Sequence, residues 1–145
     1  MRPLSLAMLA LICVAPASAQ SRIAIGGRMG YDDLAKAAAL GGEVQIRIAP
    51  ALSVRPSIDL FIMESGSYRA FNLDMQYALT PALYLGGGVA SRWLRSGDVA
   101  GDVLGTNLFA GVVVPGGEVR RFAEVGVFIK GGFHGNGRIG LSVQP

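Results

Sequence analysis

The feature that most constrains this chain is an alternation of apolar and polar residues along much of its length. In residues 52–62, apolar residues occupy the even positions, and Ser, Arg, Ser and Asp fall between the first five of them. Residues 42–48 and 70–79 repeat the pattern. Successive side chains of a β-strand point to opposite faces, so each segment has one apolar and one polar wall. The pattern predicts an all-β fold.

Segments of this kind recur along the 145 residues and fit one small domain. We count eight, at residues 22–31, 41–49, 52–64, 67–79, 82–95, 103–114, 118–131 and 136–143. Residues 33–40 are rich in alanine, and we expect a short helix there inside a loop. Eight strands of about 10 residues suit a barrel that crosses a membrane.

The N-terminus has the form of a secretory signal. Arg2 precedes the apolar run 4–14, and a triplet of small residues follows at 17–19. The run is shorter than the roughly 20 residues that a membrane-spanning helix needs. We therefore predict a cleaved signal peptide at 1–19 and a barrel domain at 20–145. The only cysteine, Cys13, lies in the signal, so no disulfide is expected.

The connections differ between the two ends of the predicted barrel. Pro50, Pro81 and Pro115 mark tight turns that an up-and-down meander places at one end. The other end would carry longer loops, at 32–40, 64–67, 96–102 and 132–136. Short turns at one end and longer loops at the other are typical of outer-membrane barrels.

Alternation alone allows two closed barrels, one with its apolar wall facing lipid and one soluble and lipocalin-like, with an apolar cavity. The polar wall favours the first, because it is rich in the small residues that a narrow eight-stranded lumen requires. Parity also places four arginines and four carboxylates on this wall, which predicts an ion-pair network inside the barrel. These residues are Arg28, Glu43, Arg47, Arg55, Asp59, Asp74, Arg92 and Glu124.

The cost of an inverted membrane barrel supports the same orientation. One arginine at the bilayer midplane costs about 2–4 kcal/mol on the lipid face, so four would cost roughly 8–16 kcal/mol. Arg69 and Arg95 have the outward parity but lie near strand ends, where this cost is small. Trp93 lies between them on the same face, as in an interfacial aromatic belt. We expect Arg69, Trp93 and Arg95 to contact lipopolysaccharide and its phosphates.

One stretch strengthens this interpretation. Residues 77–88, Tyr-Ala-Leu-Thr-Pro-Ala-Leu-Tyr-Leu-Gly-Gly-Gly, follow an apparent signal and resemble the small outer-membrane β-barrels of Gram-negative bacteria, the porin-like, opacity-like and OmpX-like group. The resemblance implies an eight-stranded antiparallel up-and-down transmembrane β-barrel in the outer membrane, with loops outside and proline turns in the periplasm. Such chains usually end in Phe or Trp, whereas this sequence ends in Leu-Ser-Val-Gln-Pro.

Residues for catalysis are scarce. His134 is the only histidine, and the nearest serine, Ser142, is eight residues away. We therefore predict no catalytic site, no metal and no cofactor, and the scattered basic residues give no expectation of nucleic-acid binding. The expected function is structural or surface-interacting and non-enzymatic, in a monomer whose partners are membrane lipid, lipopolysaccharide and a surface partner at loops 32–40 and 96–102. The alternative is a soluble periplasmic lipocalin-like barrel that binds an apolar ligand.

Overall fold

The computed structural model describes residues 22–64, 66–96, 99–114 and 118–144, and in them a closed antiparallel barrel. Each strand pairs with the next, and the first pairs with the last. The strands are β1 (Ile23–Asp32), β2 (Ala37–Ala49), β3 (Leu52–Ile62), β4 (Ser67–Ala78), β5 (Leu83–Ser96), β6 (Val99–Val114), β7 (Val119–Ile129) and β8 (Phe133–Val143). The predicted eight-stranded up-and-down barrel is confirmed. The described part of the chain has no helix long and apolar enough to cross a bilayer.

The outer wall of the barrel is apolar on every strand. Many of its large apolar side chains are about half exposed or more, whereas soluble proteins rarely expose a continuous apolar patch of more than a few hundred Å². One example from each strand is Ile25, Leu40, Leu60, Met75, Val89, Leu108, Val125 and Ile139. This wall is the lipid-facing surface of a transmembrane barrel, and the apolar cavity of the lipocalin-like alternative is not present in the described barrel.

The inner wall combines charged side chains, aromatic rings and glycines. Phe109 on β6 lies against Gly86 on the neighbouring β5, where a Cβ atom would collide with the ring. Phe128, Tyr84 and Phe122 lie in the same way against Gly105, Gly111 and Gly140. The lumen of an eight-stranded barrel is just wide enough for side chains. Glycine therefore makes the room that an inward aromatic ring needs on the neighbouring strand.

The expected helix in residues 33–40 is wrong, because only 33–36 form a turn and β2 begins at Ala37. Asp32 pairs with Ala37 and Gly30 with Ala39, so the alanines continue the ladder. Pairing with β1 and β3 thus overrides the helical preference of alanine. The Asp32 carboxylate accepts a hydrogen bond from the Ala35 amide at 3.0 Å, which stabilises the turn.

The predicted difference between the two ends also needs correction. The expected loop 32–40 is reduced to a four-residue turn. Of the expected loop 96–102, only residues 97–98 separate two strands, and these two lie outside the described residues. The ladder of β5 and β6 extends to the Ser96–Val99 pair, so β6 is longer than its polarity pattern indicated, whereas β5 keeps the predicted length. Pro50 and Pro81 lie in turns at the opposite end, and Pro115 lies outside the described residues. Both ends therefore have short connections.

Candidate functional site

The lumen is crossed by a ring of alternating charges, which we call the central network. Six residues of the network form a closed ring of ion pairs, in the order Arg28, Glu43, Arg55, Glu124, Arg138 and Asp59. The seventh member, Asp74, lies outside the ring and contacts Arg55. Along the ring, the ion-pair distances range from 2.5 Å to 3.8 Å. Strands on opposite sides of the barrel contribute to it, so the ring closes the lumen.

Arg28 joins the β1 side of the ring to β3. Its Nε and Nη2 atoms donate to the two carboxylate oxygens of Asp59 at 2.8 and 2.7 Å, and Nη1 donates to Glu43 at 3.2 Å. Asn72 donates a further hydrogen bond to Asp59 at 3.0 Å. A two-pronged contact of this kind fixes the direction of both side chains and is among the stronger polar contacts in proteins.

Arg55 makes the contact that spans the lumen. Its Nη1 atom on β3 donates to Glu124 on β7 at 2.5 Å. The other carboxylates near its guanidinium are more distant, Glu43 at 3.7 Å and Asp74 at 3.9 Å. The guanidinium also lies over the ring of Phe109, 4.5 Å from its centroid. Arg55 is 1% exposed, so these contacts are its main compensation for lost hydration.

Glu124 gathers three donors on one carboxylate. Tyr84 donates its hydroxyl proton at 2.9 Å and Arg138 donates at 3.4 Å, in addition to the bond from Arg55. This carboxylate therefore connects β3, β5 and β8 to β7. Glu124 accepts its three hydrogen bonds from three different residues, whereas Asp59 accepts its three from Arg28 and Asn72.

A second ion pair lies inside the barrel near the end that carries the 33–36 turn. Arg92 contacts both carboxylate oxygens of Asp32, at 2.9 and 2.8 Å, and its guanidinium lies over Phe128 at 3.8 Å from the ring centroid. Both charged residues are buried. On the turn itself, the Lys36 ammonium contacts the Asp33 carboxylate, and this contact lowers the pKa of Asp33.

The structure brings seven of the eight predicted interior residues into buried ion pairs, and the exception is Arg47. Arg47 has the inward parity but is exposed and makes no ion pair among the described residues. It stands at a register shift near the end of β2, where the barrel opens to solvent. Two further interior residues were not predicted. Asp32 was assigned to a loop, and Arg138 has the same parity on β8 as the buried Ser142.

Little space remains between these side chains. A cavity of about 10 Å³ lies on the side of Arg55 and Phe122, and another of about 10 Å³ lies on the side of Arg28 and Asp32. A single water molecule needs roughly 10–15 Å³ on the same measure. Within the described residues, the lumen therefore holds at most isolated waters near the central network.

The candidates for catalysis stay apart. His134 lies on β8 opposite Phe128, and Ser142 lies on the same strand eight residues away, or roughly 26 Å at 3.3 Å per residue. The described residues contain no cluster of three or more metal-ligating side chains. Within the part of the chain that the structure describes, His134 and Ser142 are therefore too far apart to act together.

The outward residues Arg69, Trp93 and Arg95, here called the rim cluster, lie together on β4 and β5. Arg69 pairs with Trp93 across the two strands, and Arg95 pairs with Ser67 one step nearer the end. All three side chains are exposed, and they border one open cavity of about 380 Å³. Neither arginine has an ion pair within the described part of the chain. The cluster presents two free guanidinium groups beside an indole.

The fold and the two-walled barrel define a class, the small transmembrane β-barrels. Comparison with solved structures agrees. The N-terminal β-barrel domain of Pseudomonas aeruginosa OprF matches with a TM-score of 0.71 at 16% identity, over 86% of this chain and 97% of that one. Neisserial surface protein A matches with a TM-score of 0.56 at 15% identity, over 85% and 94%. A de novo designed transmembrane β-barrel matches at 0.57 and 14%, over 88% and 98%.

These similarities establish the fold, and the expected resemblance to small eight-stranded outer-membrane barrels is confirmed at the level of structure. No protein-family model matches the sequence, and comparison with curated proteins gives no significant match.

Proposed function

We propose that the protein is a non-enzymatic barrel of the outer membrane of a Gram-negative bacterium, with a structural or surface-interaction role and a closed lumen. The observation that carries the proposal is the salt bridge between Arg55 and Glu124, which spans the lumen at 2.5 Å inside a wall whose outer face is apolar. A closed and rigid lumen suits a protein that works through its outer surface and its ends.

The predicted signal peptide and the barrel fold support the outer membrane as the location. Bacterial barrels of this class have an even strand number, so both chain termini lie at one end, which the predicted secretory signal places on the periplasmic side. The first strand begins at Ile23 and the last strand ends at Val143, and both points lie at the end of the barrel that carries the Pro50 and Pro81 turns. We therefore place that end in the periplasm and the turn at 33–36 outside.

The proposed surface interaction involves the outer ends of the β-hairpins. We propose that a surface partner meets the protein around residues 32–40 and 96–102, and that the barrel is a monomer with no cofactor. Short connections present mainly strand ends and outward side chains there. A partner would thus contact the rim of the barrel rather than long mobile loops.

Fractionation and conductance test this proposal. The mature protein should remain in the outer-membrane fraction through high-salt washing and should migrate faster on a detergent gel before boiling than after it. In a planar bilayer it should give no large steady conductance, while a general porin measured in the same bilayer does. Release by salt, or steady porin-like currents, would refute the location or the closed lumen, respectively.

A further inference from the structure

The rim cluster lies at the edge of an apolar groove on the lipid-facing wall. Phe71 and Leu73 on β4, Val89 on β5 and Leu104 on β6 line its part nearest the rim cluster, and the groove, about 700 Å³ in all, continues across β3 and β2 to β1. The small outward residues Gly42 and Ser91 are among those that leave the depression between larger side chains.

One aromatic contact connects the groove to the rim cluster. Trp93 borders the rim cavity, Phe71 borders the groove, and their ring centroids are 5.1 Å apart. A cavity bordered by two exposed guanidinium groups thus adjoins an apolar groove, and the two contacting rings lie between them. A cationic site, two aromatic rings and an apolar groove thus follow one another along the wall. This arrangement matches an anionic lipid, which has a charged head group and apolar acyl chains.

The charges of the rim cavity favour a phosphate. Arg69 and Arg95 occupy diagonal positions on paired strands, with Cα atoms about 7–8 Å apart, so both guanidinium groups can reach one anion. Asp102 borders the same cavity, which leaves a net charge of +1. Guanidinium binds phosphate through paired hydrogen bonds, and Trp93 offers a flat apolar face beside it.

We propose that this surface binds the lipid A part of one lipopolysaccharide molecule. A phosphate lies between Arg69 and Arg95, the sugar that carries it packs on Trp93, and an acyl chain follows Phe71 into the groove. The inference rests on the proposed function, because it needs this end of the barrel in the outer leaflet, where lipopolysaccharide is the main lipid. Phospholipid is the competing occupant.

Trp93 is the only tryptophan, so its fluorescence reports on this site alone. The mature protein, refolded in a neutral detergent, is titrated with lipid A that carries both phosphates, with dephosphorylated lipid A and with phosphatidylglycerol. We expect a saturable shift of the emission with phosphorylated lipid A. The double variant Arg69→Gln, Arg95→Gln should bind it about 30-fold more weakly, the factor expected for two surface basic residues.

Arg121→Gln is the matched control, because Arg121 is also an exposed outward arginine but lies near the periplasmic end of β7. It should leave the affinity unchanged. Leu104→Ser should weaken phosphorylated and dephosphorylated lipid A by the same factor, since it alters the groove and not the head site. Equal binding by the double variant and the wild type, or equal affinity for phosphatidylglycerol, would overturn the assignment to lipid A.

The gel mobility of each unboiled sample separates the two proposals. If the wild type fails to show the compact, heat-sensitive form, the membrane barrel of the proposed function fails and the lipid site fails with it. If every variant is compact and phosphorylated and dephosphorylated lipid A bind with equal affinity, only the lipid A site is refuted.

Discussion

The substitution Glu124→Gln separates two explanations of how the lumen is stabilised. The central network has three arginines and four carboxylates, so removing one carboxylate charge would balance it. If overall balance decides stability, this variant should be neutral or stabilised. If direct contacts decide it, the variant should lose stability, because Arg55 would keep only the carboxylates at 3.7 and 3.9 Å.

We expect the contacts to dominate. Breaking a buried ion pair by removing one partner costs about 3–5 kcal/mol. The single oxygen of the glutamine amide can still accept from Tyr84 and Arg55 at the Oε2 position, so we place the loss for Glu124→Gln near the lower bound, at about 3 kcal/mol. Asp74→Asn removes the same charge at a contact of 3.9 Å and should cost only about 1 kcal/mol.

The measurement is the free energy of unfolding from urea titration of the refolded protein in lipid vesicles, followed by gel mobility and by Trp93 fluorescence. Glu118→Gln is the control, an exposed glutamate just before β7, and should change stability by less than about 0.5 kcal/mol. In an Arg55→Met background, Glu124→Gln should cost about 2 kcal/mol less than alone. Equal losses for Glu124→Gln and Asp74→Asn would refute the argument from contacts.

Two further predictions test the outer and inner walls in the same assay. Leu108→Arg places a cation on the lipid face near the middle of β6 and should lower the free energy of unfolding by about 3 kcal/mol. Val114→Arg, at the end of the same strand, should lower it by less than about 1 kcal/mol. Similar losses at both sites would contradict the lipid-facing wall. Gly88→Ala would push a methyl group into the Leu73 carbonyl and should cost about 2 kcal/mol. Gly135→Ala meets open space and should cost nothing measurable, so a larger loss there than at Gly88 would contradict the packing described.

The strand number and the two walls were predictable because each depends on local alternation. In β3, Arg55, Ser57 and Asp59 are buried on one parity while Ile58 and Leu60 are exposed on the other, as residues 52–62 indicated. The choice of lipid outside over an apolar ligand inside rested on the small residues and the balanced charges of the polar wall, which a narrow lumen requires. The cost of arginines in hydrocarbon excluded the inverted membrane barrel.

The ends of the strands were less predictable, because polarity contrast fades there. Residues 37–40 include no polar residue, so the segment shows no alternation and its alanines suggested a helix. Its place in β2 follows from pairing with β1, a contact between segments that local propensity does not contain. The same error removed Asp32 from the expected interior, although it is 3% exposed and paired with Arg92.

Which charged residues pair with each other inside the lumen is harder to predict from the sequence than which residues face the lumen. In the backbone ladder, Arg28 lies opposite Gly41 and Gly140, yet its guanidinium contacts Asp59 on β3, one strand beyond its neighbour. Arg55 lies opposite Asp74 in the ladder but makes its shortest ion pair with Glu124 across the barrel. Long side chains in a narrow tube meet according to strand tilt and shear, which arise only when the sheet closes. Parity can therefore assign a charge to the lumen, while the contacts that decide its energy depend on the closed barrel.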